Sequence, residues 1–337
     1  MHTIIYPPTI DYYWLYQRPQ QLLKYLCRTG EYRVIFYNAP VCIPQHEPIQ
    51  EVEPNFYVCT KKVSINIGKL EERPILWITY PPNIKYIDKL RERLVVFDAI
   101  DDASEDFAGW AHGIPELVRR ADVIFATSKK LCDEYKTRHP HVYLCPNGAD
   151  YDHFASNGKN PRPGDMPNGE RPVIGYSGAI ASWLDWQLIK SVADRCKQWD
   201  FVFIGPLYFN FSDVAHGSNI YYLGRKAYEE LPCYINCFDV CVIPFRKSGM
   251  TDAVNPVKLY EYLSAGKPVV STDIYELEDI PFVSVSKNTD EFVKNITYWI
   301  ESNDEEHVKQ RREFARANSW AERAKRVSDV LDGMIRR

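Results

Sequence analysis

Short runs of β-branched and aromatic residues recur along the chain, and between them apolar residues return every three or four positions. The first pattern predicts buried strands and the second predicts helices with one apolar face. In the first half, strands are expected at residues 3–8, 33–38, 56–60, 75–80, 94–100, 123–128 and 142–146. Helices are expected at 18–27, where Leu22, Leu23 and Leu26 share a face, and at 83–91, 114–121 and 129–138. Residues 40–54 are rich in Pro and Gln and read as irregular loop. Residues 156–171 are rich in Asn, Gly and Pro without period, which marks a linker. The alternation resumes beyond it: strands at 172–177, 200–206, 220–224, 239–245, 268–270 and 282–285, a helix from Trp183, one reaching Phe238, one after Asn255 and one at 290–301. An amphipathic stretch at 311–337 closes the chain. Strand–helix alternation of this kind predicts α/β architecture with parallel, doubly wound sheets. The linker divides it into a first domain at 1–160 and a second at 170–317.

Composition narrows the classes. The chain has 337 residues, 45% hydrophobic and 26% charged, ordinary values for a protein with a sizeable core. Lys and Arg number 41 against 45 Asp and Glu, a net charge of −4, so nothing global points to nucleic acid. The nine Cys are odd in number and scattered without a Cys-x-x-Cys pair, which fits reduced thiols in the cytoplasm. Cys233, Cys237 and Cys241 recur every four residues, but no His completes a ligand set, and no metal or cofactor is expected. The N-terminus lacks a basic region and no apolar run has the length of a membrane span. The 23 Tyr and 8 Trp leave rings available for stacking on sugars or bases.

Candidate chemistry concentrates at residues 243–272. Asn255 is a good N-cap and Pro256 suits the first helical position, so the N–H groups of Val257 and Lys258 would be open to an anion. Lys258 and Glu261, three apart, share one helix face: a cation for a diphosphate and a carboxylate for vicinal ribose hydroxyls. The plain alternative is a solvated surface pair. Ser177 and Gly178 form a glycine-bearing loop after a strand, where backbone can approach a phosphate. The acidic run from Asp98 to Asp106 stands at a strand's carboxyl end. It reads as a metal site, a helix N-terminus or a catalytic or acceptor-orienting carboxylate.

The segment Asn255-Pro256-x-Lys258-x-x-Glu261-Tyr262-Leu263-x-x-Gly266-Lys267-Pro268-Val269-Val270 resembles the donor-binding segment of GT-B glycosyltransferases, in particular glycosyltransferase family four. Two further stretches carry the resemblance: the strand at 121–128 with the Pro146-Asn147-Gly148-x-Asp150 turn, and the Leu223-Gly224 to Pro232 segment. Trp14-x-x-x-Arg18-Pro19 is similar to the start of bacterial polysaccharide glycosyltransferases, where it faces the interdomain cleft and the acceptor. The resemblance implies two Rossmann-like domains and a metal-independent reaction with a nucleoside-diphosphate sugar of the UDP type as donor, with Glu261 on its ribose. A hydroxyl acceptor, glycan or lipid-linked, would receive the sugar with retained configuration, in surface polysaccharide synthesis. It also implies that the last helix, 318–337, packs back on the first domain; its amphipathic pattern admits a peripheral membrane contact as well.

Three departures stand against the family pattern. The family's usual His-Asp at the end of this strand is Asp101-Asp102 here, so the His is absent and Asp101 or Asp102 is left as the candidate catalytic carboxylate, and no Arg–Lys pair follows Gly178. The first Glu of a Glu-x7-Glu signature is Ala253, with Asp252 beside it. Arg225, Lys226, Arg246 and Lys247 are the nearest replacement cations. A sugar-nucleotide epimerase of this fold, or an inactive nucleotide-sugar or glycan-binding protein, are the competing readings.

Overall fold

The computed structural model describes residues 1–41, 45–60, 72–155, 161–208 and 210–336. Part of the expected linker, 156–160, lies outside them. Contacts divide the chain into two compact units. The first comprises Met1–Asn147, Ala253–Asn255 and Trp320–Arg337, and the second Gly148–Asp252 and Pro256–Ser319.

In the first unit the elements run β1 (His2–Tyr6), α1 (Arg18–Arg28), β2 (Tyr32–Tyr37), β3 (Ile49–Glu53), β4 (Phe56–Cys59), β5 (Ile75–Ile78), β6 (Leu94–Ala99), α2 (Ile114–Arg120), β7 (Val123–Ala126), α3 (Lys129–Lys136) and β8 (Val142–Leu144). The sheet order is β3-β4-β2-β1-β5-β6-β7-β8. All its pairings are parallel except β3 with β4. β5, β6 and β7 are buried along their whole length, as strands covered on both faces must be.

The second unit holds α4 (Tyr151–Phe154), β9 (Val173–Ser177), α5 (Trp186–Arg195), β10 (Asp200–Ile204), β11 (Ile220–Gly224), α6 (Leu231–Ile235), β12 (Val240–Ile243), α7 (Val257–Ser264), β13 (Val269–Thr272), β14 (Val283–Ser286), α8 (Thr289–Ser302) and α9 (Glu305–Ala317). Its sheet, β11-β10-β9-β12-β13-β14, is parallel throughout. Strand order reverses between β9 and β12 here, and between β1 and β5 in the first unit. Open sheets of this kind receive ligands at the carboxyl ends of such strands. The last helix, α10 (Trp320–Ile335), packs on α1 within the first unit. Tyr32 Oη and Ser328 Oγ are 3.1 Å apart, and Ser328 Oγ donates to Glu31 at 2.8 Å.

Three expectations need correction. The 40–54 loop contains the strand β3, whose Gln50, Glu51 and Glu53 disguise it. A strand at the sheet's edge needs no apolar face, and β3 is exposed over most of its length. The 83–91 helix is instead a short 3-10 segment, Pro81–Tyr86. The Asn83 side chain donates to Pro8 O and Thr9 Oγ1, and Asp88 and Arg91 take positive φ, which ends helical geometry. The 311–337 stretch is two helices. Asn318 closes α9, its side chain donating to Phe314 O at 2.8 Å, and α10 begins after Ser319.

Candidate functional site

The carboxyl edge of the second sheet gathers five of the expected residues. β9 ends at Ser177, and Gly178 follows at φ +148, a conformation side-chain-bearing residues rarely adopt. A Cβ on Gly178 would stand 2.8 Å from Lys258 Cε, so the bare backbone lets the lysine approach. Gly205, also at φ +148, is pressed so closely on this loop that a Cβ would stand 1.9 Å from Gly178 O. The loop after β9 is joined to the one after β12: Asp185 N donates to Pro244 O and Arg246 N to Trp183 O, each at 2.8 Å.

Beside this loop starts α7. Its N-cap is Pro256, not Asn255, so Val257 and Lys258 are the first two helical residues. No preceding carbonyl of the helix reaches their N–H groups. Gly266, at φ +76, ends the helix as its position foretold, with Lys267 N donating to Tyr262 O. Tyr262 is fully buried. Its hydroxyl accepts from Ser177 N at 2.7 Å and stands 3.3 Å from Ser177 O, tying α7 to the end of β9.

Lys258 and Glu261 are not a solvated surface pair. The ammonium lies 5.3 Å from the Tyr176 ring centroid and 4.9 Å from that of Phe245. Burial pulls Lys258 down to about 8, against the attraction of Glu261. Burial likewise pushes the Glu261 carboxyl up to about 7, against the pull of Lys258. Among the described residues the Glu261 carboxylate accepts no hydrogen bond. A cation and a carboxylate are thus held half-desolvated on one helix face, next to open N–H groups. The arrangement can bind a group that is anionic at one end and hydroxylated at the other.

The other cations are placed differently. Lys226 is committed: it pairs with Asp165 and lies 5.1 Å from the Tyr234 ring centroid, while Tyr234 Oη donates to the same carboxylate. Arg225 is exposed directly after β11, two strands from β9. Lys247 pairs with Asp273 at 2.7 Å, and Arg246 is exposed. Asp252 is half-buried, its Oδ1 3.5 Å from Tyr275 N, and Ala253 is fully buried in the first unit's core.

In the first unit Arg18 is neither open to a ligand nor a surface cation. Only 3% exposed, it donates to both Asp98 oxygens, with Nε 3.0 Å from each, to Asn147 Oδ1 at 3.1 Å and to Pro146 O. Trp77 Nε1 donates to the same carboxylate. Asn147 N donates to Asn255 Oδ1 at 2.8 Å and its amide to Asn255 O, while Arg323 Nε donates to Asn147 O. Asn255, expected at the donor, therefore serves this buried network in the first unit. The signal that could have found it was two Asn residues, each beside a Pro, at strand-end turns. Trp14 is half-buried in a loop turned by its N–H to Asp11 O.

Asp101 and Asp102 follow β6 and are half-buried. Burial, and next the charge of Asp102, push the Asp101 carboxyl up to about 6. Neither side chain finds a donor among the described residues. Among those residues no group of three or more His, Cys, Asp or Glu is placed to hold a metal ion, and no helix is long and apolar enough to cross a membrane.

Comparison with known proteins gives this edge a context. Residues 171–302 match the family model described as glycosyl transferases group 1. A Bacillus subtilis (strain 168) protein, by name a candidate teichuronic acid biosynthesis glycosyltransferase, TuaH, is 27% identical over 275 residues, 74% of this chain and 69% of its own. Among solved structures, sucrose-phosphate synthase from Thermosynechococcus elongatus superposes with a TM-score of 0.74 at 13% identity, over 99% of both chains. Anabaena Alr3699/HepE, solved in complex with UDP and glucose, gives 0.69 at 13% identity over 98% of this chain and 99% of its own. The chain is a glycosyltransferase of the GT-B fold, and its residues 171–302 form a domain of the glycosyl transferases group 1 type.

Proposed function

We propose that the protein transfers a sugar from a nucleoside-diphosphate sugar, of the UDP type, to a hydroxyl of a glycan or lipid-linked acceptor. The observation that carries the reading is the pair Lys258 and Glu261 at the start of α7, desolvated and unsatisfied beside open N–H groups. The diphosphate lies against the N–H groups of Val257 and Lys258, with Ser177 and Gly178 lining the approach. The Lys258 ammonium neutralises the charge that develops as the anomeric C–O bond breaks. Glu261 accepts from the two ribose hydroxyls, and exposed Arg225 adds positive field from the end of β11. These groups supply the field a metal would otherwise give, so no metal is required.

The first unit takes the acceptor. Asp101 or Asp102 accepts from a neighbouring hydroxyl of the acceptor and orients it, while the reacting hydroxyl gives its proton to the departing diphosphate as its oxygen bonds to the anomeric carbon. That front-face course retains configuration and needs no protein nucleophile, in keeping with Ala253 where a carboxylate would otherwise stand. Trp14, half-buried in the α1 approach loop, is assigned to the acceptor side. The likeness to TuaH supports a role in bacterial surface polysaccharide synthesis, on the cytoplasmic side. Membership of family four is part of the same reading.

Calorimetry with UDP, GDP, ADP and TDP, and then with their sugars, tests it. One nucleotide should bind the wild type and bind Glu261→Ala at least tenfold more weakly, since charge-assisted hydrogen bonds contribute about 1.5–3 kcal/mol. Its sugar conjugate should be hydrolysed slowly, and Asp101→Asn with Asp102→Asn should stop transfer while leaving nucleotide binding intact. Absence of binding by all four nucleotides would sink the reading.

A further inference from the structure

At the carboxyl edge of the first sheet, three aromatic rings stand half out of water. β5 and β6 pair in parallel, so the segments following them emerge on the same edge. Tyr80 comes after β5. Asp101 and Asp102 come after β6 and lead into a 3-10 segment, Glu105–Gly113. Runs of 3-10 helix beyond three or four residues are uncommon, and none of these nine residues is buried. The Phe107 and Trp110 ring centroids are 4.7 Å apart at 44°, and Tyr80 meets Trp110 edge-on at 5.7 Å and 75°.

The cluster is held in place without being sunk into the core. Glu105 starts the segment at φ +47, outside the ordinary range for its residue type. At its other end a Cβ on Gly113 would stand 3.2 Å from Pro81, so that contact depends on the missing side chain. Large rings fixed at a ligand-receiving edge, yet left half exposed, offer apolar area to a partner.

The charges around them say which partner. Asp101 and Asp102, for which no donor stands among the described residues, lie on the same edge as the rings. Carboxylates accept hydrogen bonds from hydroxyls and repel phosphate and carboxylate groups. An anionic lipid surface or an acidic glycan is disfavoured. A neutral sugar ring, with C–H groups on its face and hydroxyls at its rim, matches both features.

We propose that Tyr80, Phe107 and Trp110 form a stacking platform for a neutral pyranosyl ring of the acceptor, whose rim hydroxyls are received by Asp101 and Asp102. The inference deepens the glycosyl-transfer reading above and rests on the first unit's acceptor role.

Full-length protein labelled with 5-fluorotryptophan tests it, the Trp110 resonance being assigned through Trp110→Phe. Cellobiose and N-acetylglucosamine should shift that resonance saturably at millimolar concentration, and glucuronate and phosphatidylglycerol vesicles should not. Phe107→Ala should weaken the response about three- to tenfold, the scale of one aromatic contact; the remaining tryptophan resonances report whether the variant is folded. A Trp110 line unmoved by any sugar, or moved by vesicles alone, overturns the platform. UDP added to the same sample separates the two readings. If UDP binds while sugars leave Trp110 unmoved, only the platform fails. If sugars shift Trp110 while UDP does not bind, the platform stands and the donor reading fails.

Discussion

Replacing Glu261 by Gln should make the protein more stable and bind nucleotide less well. The Glu261 carboxyl, 8% exposed, is raised from 4.5 to about 7, chiefly by burial. The folded chain therefore holds this proton more tightly than the unfolded chain, and stability is lost as pH rises from about 4.5 to 7. By pH 8 the charged carboxylate costs about 3 kcal/mol relative to its unfolded reference. Gln avoids that cost but deprives Lys258 of the attraction that supports its charge. The net gain should be about 1–2 kcal/mol at pH 8, and it should shrink toward zero near pH 5. Urea unfolding across this range reads it directly. In calorimetry the same variant should bind the nucleoside diphosphate some tenfold or more weakly, because an amide cannot accept from both ribose hydroxyls as a carboxylate does. A variant less stable than wild type at pH 8 would mean the carboxylate is already satisfied in the free protein. Unchanged nucleotide affinity would mean that Glu261 does not touch the ligand.

Two other substitutions probe the supports of the two edges. Tyr262→Phe leaves Ser177 N–H buried without its acceptor, an expected loss of about 1–3 kcal/mol in urea unfolding, with weaker nucleotide binding although neither Lys258 nor Glu261 is altered. Equal stability would show that Ser177 finds another partner. Arg18→Ala strands Asp98 as an unpaired interior charge and should destabilise the first unit by about 3–5 kcal/mol, followed by thermal denaturation; a loss under about 1 kcal/mol would refute the buried-pair account.

The strands of both sheets other than β3, and the end of α7 before Gly266, were legible because each depends on neighbours in sequence. Val-Ile-Phe-Ala at β7 and Val-Cys-Val-Ile at β12 can only be buried strands, and Gly266 supplies the positive φ that its turn requires. What escaped depends on partners distant in sequence. Arg18 meets Asp98 eighty positions on, and Asn255 meets Asn147, so a cation at a helix start and an apparent helix cap turned out to be interior fasteners. Lys226 looked like any strand-end cation until Asp165 was brought beside it. β3 was hidden for the opposite reason, because an edge strand carries no burial pattern to read. Lys258 and Glu261 were found by spacing, but their desolvation, which separates a binding site from a surface pair, comes from Tyr176 and Phe245 on other elements.

The packing of α10 on α1 also makes the two units unequal in what they need from the end of the chain. The second unit needs nothing beyond Ser319, whereas the first unit, begun earlier in the chain, needs Trp320 to Ile335. Without them, Asn147 O has no Arg323 and Arg18 has no Trp320 beside it. A chain stopped at Ser319 should keep a protease-resistant second unit and lose the first to digestion; a resistant first unit would show that it closes without its final helix.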